Sequence, residues 1–126
     1  MTTPGRERIR VVVATEGDDA DRAATAVARR LRDAGMEVVH AGRLSPEALA
    51  ATVVQEDADA VGLCGSGADA PALLARLTAL LADRGGDDVV LFACGADADP
   101  AGPTRVFPPG SPAAEIAEWL RGRLGR

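Results

Sequence analysis

The stretch Arg10–Leu31, RVVVATEGDDADRAATAVARRL, decides the fold of this chain. Its unbroken apolar run from Val11 to Ala14 predicts a strand that is buried on both faces. A polar turn, Thr15–Asp19, follows, and small or apolar residues then recur at helical spacing. A strand, a turn and a helix in succession form the first half of a βαβ unit. Open parallel sheets bind ligands at the carboxyl ends of their strands, so this turn is the first candidate for a site.

The rest of the chain repeats the alternation of strand and helix. We predict strands at about 9–14, 37–40, 58–64, 89–93 and 104–107, with helices at about 19–34, 46–56, 71–84 and 112–124. Ser45 and Ser111, each followed by a proline, are expected to cap the second and the fourth helix. This alternation favours an α/β fold: a flavodoxin-like, five-stranded parallel sheet in the order 2-1-3-4-5, with helices on both faces and strand 1 central. Residues 94–103 show no helical period, so we expect an abbreviated crossover between strands 4 and 5.

Length and composition limit the possible classes. The 126 residues suit a single domain, 1–126, and the 47% apolar content argues against disorder. The net charge is −5 and every cation is Arg, without a basic stripe, so we expect no nucleic-acid partner. We find no apolar run of membrane-spanning length and no signal-peptide core. We therefore expect a cytoplasmic protein without membrane contact.

Several stretches outside the first turn resemble those of one protein family. They are Leu31–Val39, Gln55–Asp57, Gly62–Leu63, Phe107–Ser111, Glu115–Ile116 and Trp119–Leu120. Over nearly its whole length the chain resembles the cobalamin (vitamin B12)-binding domain of methylmalonyl-CoA mutase-type isomerases, which occurs as a fused domain or as a separate small subunit. The resemblance implies a Rossmann-like fold, cobalamin as cofactor, and a large mutase subunit or a second copy of the chain as partner.

The family's diagnostic motif, Asp-x-His-x-x-Gly, aligns with the first turn. Its His is the lower axial ligand of cobalt, and its Asp orients that His through the other ring nitrogen. In this chain Asp18 is kept, with Asp19 beside it, whereas Ala20 replaces the His and Ala23 replaces the Gly. A methyl group has no lone pair to donate to cobalt. Position 20 therefore excludes the family's His-on binding.

Three further motifs of the family line its cofactor. The Ser after strand 3, beside the slot for the nucleotide tail, is replaced by Cys64, and the Gly-Gly after strand 4 is reduced to Cys94-Gly95. A Gly-Pro-Gly-Thr-like turn before the last helix is retained in altered form, and its N–H groups could bind phosphate. The positions that the resemblance places at the cofactor are Asp18, Asp19, Ala20, Ala23, Cys64, Ser66, Cys94, Gly95, Pro109, Gly110 and Ser111.

Three hypotheses of function remain open. The first is a degenerate B12-fold protein that acts as a non-catalytic partner or regulatory subunit and binds cobalamin weakly or not at all. The second is a cobalamin carrier, or a mutase small subunit, that holds the corrinoid without a protein His ligand. The third is a small binding domain for another ligand, such as one that carries phosphate.

An independent enzyme is disfavoured by the residue inventory. The chain's single His, His40, is expected at the end of strand 2 as a surface residue, so no Ser-His-Asp set can form. Gly65-x-Gly67 is too short for a dinucleotide fingerprint. We therefore expect no catalytic residue in the chain itself.

An acidic cluster in the first turn offers a possible Mg²⁺ site like that of response-regulator receivers. Its members are Glu16, Asp18, Asp19 and Asp21. No phosphoacceptor Asp ends strand 3, however, and the chain has no Lys. We interpret the cluster as carboxylates that complement a helix dipole, and expect no metal site.

The two cysteines, Cys64 and Cys94, are expected at the carboxyl ends of neighbouring strands. Adjacent strands lie about 4.8 Å apart, and disulfide-bonded Cα atoms about 4.4–6.8 Å, so the two residues are expected to be close. We expect two small, half-buried side chains that fill the space left by the family's nucleotide tail, in a reducing compartment. A redox pair or a soft-metal pair is the alternative, although two ligands fall short of the four of a structural zinc site.

Overall fold

The computed structural model describes residues 8–15, 20–65, 70–86, 88–95, 105–108 and 110–124. The strands are β1 (Arg10–Thr15), β2 (Glu37–Gly42), β3 (Ala60–Cys64), β4 (Val90–Cys94) and β5 (Arg105–Phe107). The helices are α1 (Ala20–Asp33), α2 (Pro46–Gln55), α3 (Ala70–Asp83) and α4 (Ala113–Leu124).

All five strands pair in parallel in the order β2-β1-β3-β4-β5, which confirms the predicted fold class. Strand β1 lies inside the sheet, between β2 and β3, as this order requires, and β3 is the middle strand of the five. The predicted short crossover between strands 4 and 5 falls on 96–104, outside the described residues.

Two strand boundaries differ from the prediction for identifiable reasons. Strand β2 continues past His40 to Gly42, because a register shift between Val13 and Ala14 lets the pairing resume. Strand β3 begins at Ala60, because the N–H of Ala58 is bonded to the carbonyl of Val53 in the preceding helix. Residue 58 thus belongs to the turn that ends α2.

The sheet separates two apolar cores, as expected when helices cover both faces of a parallel sheet. The face towards α1 and α4 buries Val11, Val13, Val27, Leu31, Ala60, Cys64, Phe92, Cys94, Phe107, Ile116 and Leu120. The face towards α2 and α3 buries Val12, Ala14, Leu49, Val53, Val61, Leu63, Leu74, Leu77, Leu81, Leu91 and Ala93. Successive residues of each strand alternate between the two lists, as the pleat requires.

The chain's three aromatic residues form one cluster on the α1/α4 face. Phe92, Phe107 and Trp119 contact one another edge to face, with ring centroids 5.7–6.3 Å apart. Phe92 also lies across Gly62 of the neighbouring strand, where an added Cβ would stand 2.2 Å from a ring carbon. Glycine at position 62 is therefore required by packing, and not by backbone conformation.

The two helices that follow a Ser-Pro pair begin differently. Ser45 accepts a hydrogen bond from the N–H of Ala48 at 3.1 Å and caps α2 as predicted. Ser111 was also predicted to cap its helix, but its hydroxyl donates to the carbonyl of Pro108 at 2.7 Å. Helix α4 begins two residues later, at Ala113, so the Ser111 hydroxyl stabilises the preceding turn.

Candidate functional site

A row of four buried residues crosses the sheet at its carboxyl edge. Thr15 pairs with Cys64, Cys64 with Cys94, and Cys94 with Phe107. Their exposed fractions are 4%, 0%, 6% and 1% in that order. Strand alternation places Thr15 on the same face as Val11 and the other three, towards α1 and α4. The row joins two predicted site residues to two that the sequence did not single out.

The two thiols lie in contact at the centre of this row. Both cysteines are free, and the Cys94 thiol donates a weak hydrogen bond to the carbonyl of Leu63, with 3.9 Å between sulfur and oxygen. A hydrogen bond to Cys94, together with burial, raises the pKa of the Cys64 thiol far above its usual range. The predicted proximity is confirmed, although the side chains are buried and not half-buried.

The raised pKa of Cys64 predicts a loss of stability in alkali. The stabilisation is fully present below the thiol pKa of the unfolded chain, about 8.5, and falls above it because only the unfolded state then releases the proton. The limiting slope is about 1.4 kcal/mol per pH unit. Tyr and Lys are absent from the chain, so no other side chain besides cysteine titrates just above that pH. Urea unfolding at pH 8, 9 and 10 measures the slope.

The matched control for this slope is Cys64→Ala, whose unfolding free energy should fall less steeply with pH. Its absolute stability at pH 8 is set by packing and is compared separately. Parallel curves for the variant and the unmodified chain would contradict the assignment to Cys64.

The backbone beside the thiols is held by strand-like hydrogen bonds. The N–H of Gly65 donates to the carbonyl of Cys94 at 3.0 Å, and the N–H of Gly95 donates to the carbonyl of Phe107 at 2.9 Å. Gly95 has φ 82°, and an added Cβ there would lie 3.4 Å from the carbonyl oxygen of Gly65. Gly95, the retained glycine of the Cys94-Gly95 pair, thus allows a backbone conformation with positive φ, and it lies close to the end of β3.

The other predicted site residues are only partly placed. Ala20 is the first residue of α1, Ala23 is exposed on that helix, and Gly110 (φ 86°) and Ser111 lie in the turn before α4. The remaining predicted positions lie outside the described residues: Asp18, Asp19, Ser66 and Pro109. The structure therefore brings Cys64, Cys94 and Gly95 together. The arrangement of all eleven positions that the resemblance places at the cofactor remains a prediction.

His40 lies away from the row. It is exposed, as predicted, and stands on the edge strand β2, where it pairs with Val13, two residues before the end of β1. The described residues at the carboxyl edge therefore offer hydroxyl, thiol and backbone groups, but no imidazole.

The described part of the chain also holds no larger ligand cluster. Within it, no three His, Cys, Asp or Glu side chains converge as a metal site would require. Most members of the acidic cluster Glu16, Asp18, Asp19 and Asp21 lie outside the described ranges. Its remaining member, Asp21, is exposed on α1. Among the helices that the structure describes, none is long and apolar enough to cross a bilayer.

Thr15 and Phe107 could have been found from the sequence with one further step. Each is the last residue of a strand in an assumed parallel sheet, and parallel strand ends meet at one edge. The signal lies in strand topology and not in residue type, since neither Thr nor Phe is typical of a reactive site.

Comparison with known proteins gives three results. No known protein-family model matches the chain. It is 38% identical over 89 residues to the 2-hydroxyisobutanoyl-CoA mutase small subunit of Aquincola tertiaricarbonis, an alignment that covers 69% of this chain and 65% of the relative. The chain thus spans just under two thirds of that relative's length.

Two solved structures share the fold. A cobalamin-binding protein from Desulfitobacterium hafniense superposes with a TM-score of 0.77 at 18% identity, covering 93% of this chain and 60% of that one. The signal receiver domain of the response regulator NarL from Mycobacterium tuberculosis gives 0.65 at 19% identity, covering 96% and 100%. At these identities the likeness concerns the fold alone.

Proposed function

We propose that this chain is a domain of the B12-binding type that acts as a non-catalytic partner subunit, because it is 38% identical to a mutase small subunit and shares the fold of a cobalamin-binding protein. In this proposal it binds a larger mutase subunit, or a second copy of itself, through its surface. It holds cobalamin weakly or not at all.

The observation that carries the proposal is the set of donors at the carboxyl edge. Position 20, at the start of α1, is an alanine, and the chain's one imidazole stands on the edge strand with its side chain exposed. The described residues therefore do not fit a cobalamin ligated by a protein His. The other contact positions, Cys64 and Cys94, are buried in the core and contact each other.

The described part of the domain has a well-packed core on each face of the sheet, which supports a role for its surface. Both faces of the sheet are covered by helices, and the strand ends are closed by buried side chains and backbone hydrogen bonds. Function in such folds depends on sites placed on the scaffold and not on the scaffold itself, so a packed core with altered ligand-contact residues is compatible with a role for the surface.

A binding experiment tests the partner role. The purified chain is mixed with the large subunit of a 2-hydroxyisobutanoyl-CoA mutase, without cobalamin, and followed by size-exclusion chromatography with light scattering. We expect a complex of defined stoichiometry, because the proposed interface needs no cofactor. The NarL receiver domain, which shares the fold, is the matched control and should elute alone.

Failure of the two chains to associate at micromolar concentration, with or without cobalamin, would contradict the partner role. Association only when cobalamin is present would instead favour the second candidate, a carrier without a protein His ligand. In such a carrier the lower ligand of cobalt is the benzimidazole of the corrinoid itself or a water molecule. The fold shared with a cobalamin-binding protein supports that candidate.

A further inference from the structure

The two cysteines form the one close pair of soft ligands in the described residues. Cys64 ends β3 and Cys94 ends β4, and the two pair directly in the sheet. Both side chains belong to the core on the α1/α4 face, so both sulfur atoms stand on the same side of the sheet. Their contact is thus fixed by the register of two buried strands, and not by a mobile loop.

The geometry of neighbouring parallel strands disfavours a disulfide at this place. Side chains stand roughly perpendicular to the sheet, so paired residues keep their Cβ atoms near the strand spacing of about 4.8 Å. A disulfide needs about 3.5–4.5 Å between Cβ atoms. Closing the bond would pull two neighbouring, paired strands together, whereas an ion that bridges the sulfurs lets the Cβ atoms stay further apart than a disulfide does.

We propose that Cys64 and Cys94 form a two-thiolate site for a soft monovalent cation, with Cu(I) as the probe. Thiolates select soft ions such as Cu(I) over hard ones, and Cu(I) accepts two ligands. A structural zinc ion needs four ligands, and within the described ranges no third His, Cys, Asp or Glu joins the pair. This inference concerns the thiols alone and is independent of the proposed partner role.

Binding replaces protons by the ion. Each thiol releases one proton as its sulfur bonds to Cu(I), and the Cys94 thiol gives up its weak hydrogen bond to Leu63. No electron is transferred. Because binding releases two protons, the affinity for Cu(I) should rise with pH. Arg105 lies on β5, the strand next to β4, and its guanidinium is 4.9 Å from the ring centre of Phe107. Arg105 therefore places a positive charge on the strand beside Cys94.

The test is an anaerobic titration of the reduced full chain with Cu(I), buffered by a chromophoric chelator. The variants are Cys64→Ser and Cys94→Ser, and Thr78→Val is the control because it lies on α3, which covers the opposite face of the sheet from both thiols. We expect one Cu(I) per chain, a loss of affinity of about 100-fold or more in each serine variant, and an unchanged affinity in the control.

X-ray absorption at the copper edge, recorded on the Cu(I)-loaded native protein, provides the second measurement. We expect two sulfur neighbours per copper ion and no nitrogen or oxygen neighbour. The unmodified chain is used for this experiment, so it decides the question even if a serine variant fails to fold. No competition with the chelator, a single sulfur neighbour, or full affinity in either serine variant would overturn the proposal.

Discussion

Replacing Ala20 by His together with Ala23 by Gly is expected to produce a chain that retains cobalamin through a desalting column. Position 20 begins α1, five residues after β1 ends at Thr15, where the family that the sequence resembles carries its axial His. The positive end of the helix dipole disfavours imidazolium there, so the new side chain would keep a free nitrogen lone pair at neutral pH. We expect at least about tenfold more retained corrinoid than with the unmodified chain, and a spectrum of the His-on form.

The matched control for this gain is Ala26→His, which places an imidazole on the exposed side of the same helix, more than one turn further along. It should retain no more cobalamin than the unmodified chain. The single variant Ala23→Gly separates the contribution of the glycine, which costs about 1 kcal/mol in a helix interior. An equal gain for His at position 26, or none at position 20, would contradict the assigned alignment of the turn.

Gly62→Ala is expected to destabilise the fold by about 3 kcal/mol and to lower the melting temperature by about 10 °C. The added Cβ would stand 2.2 Å from the ring of Phe92. That ring has no free space to enter, because it is packed against Phe107 and Trp119 with centroids 6.3 and 6.1 Å away. Thermal and urea unfolding followed by circular dichroism measure the loss.

Gly122→Ala is the matched control for that substitution. Gly122 lies in α4, and nothing stands within 4 Å of an added Cβ. Alanine there should be neutral or stabilise by about 0.5–1 kcal/mol. The double variant Gly62→Ala, Phe92→Leu should recover part of the loss, because the smaller side chain removes the overlap. Equal melting temperatures for Gly62→Ala and the unmodified chain would show that Phe92 is free to move.

The sheet order could be predicted because strand and helix patterns alternate without ambiguity. Val11–Ala14 is apolar at every position, as expected of a strand that is covered on both faces. Gly35 ends the following helix with a positive φ of 91°. The Ser45-Pro46 pair marked the start of α2 correctly for the same reason: the capping contact is local in sequence.

Two kinds of contact were not predicted from the sequence: a competing hydrogen bond within a turn and a packing contact between strands. The Ser111-Pro112 pair has the same local signature as Ser45-Pro46, yet the Ser111 hydroxyl is taken by the carbonyl of Pro108. No local pattern could show that Gly62 accommodates Phe92, since the contact joins strands 30 residues apart. At the site, the proximity of Cys64 and Cys94 followed from strand order alone, whereas their full burial depends on packing against both helices.

The central claim of the proposal, that this flavodoxin-like domain offers no histidine ligand for cobalt, is tested most directly by the visible spectrum of the unmodified protein. The chain is incubated with adenosylcobalamin or hydroxocobalamin, desalted, and its spectrum recorded. We predict a protein fraction with little or no corrinoid absorption, because Ala20 donates nothing to cobalt and His40 stands on the edge strand. Stoichiometric retention with a nitrogen-ligand signal that His40→Ala abolishes would contradict the claim.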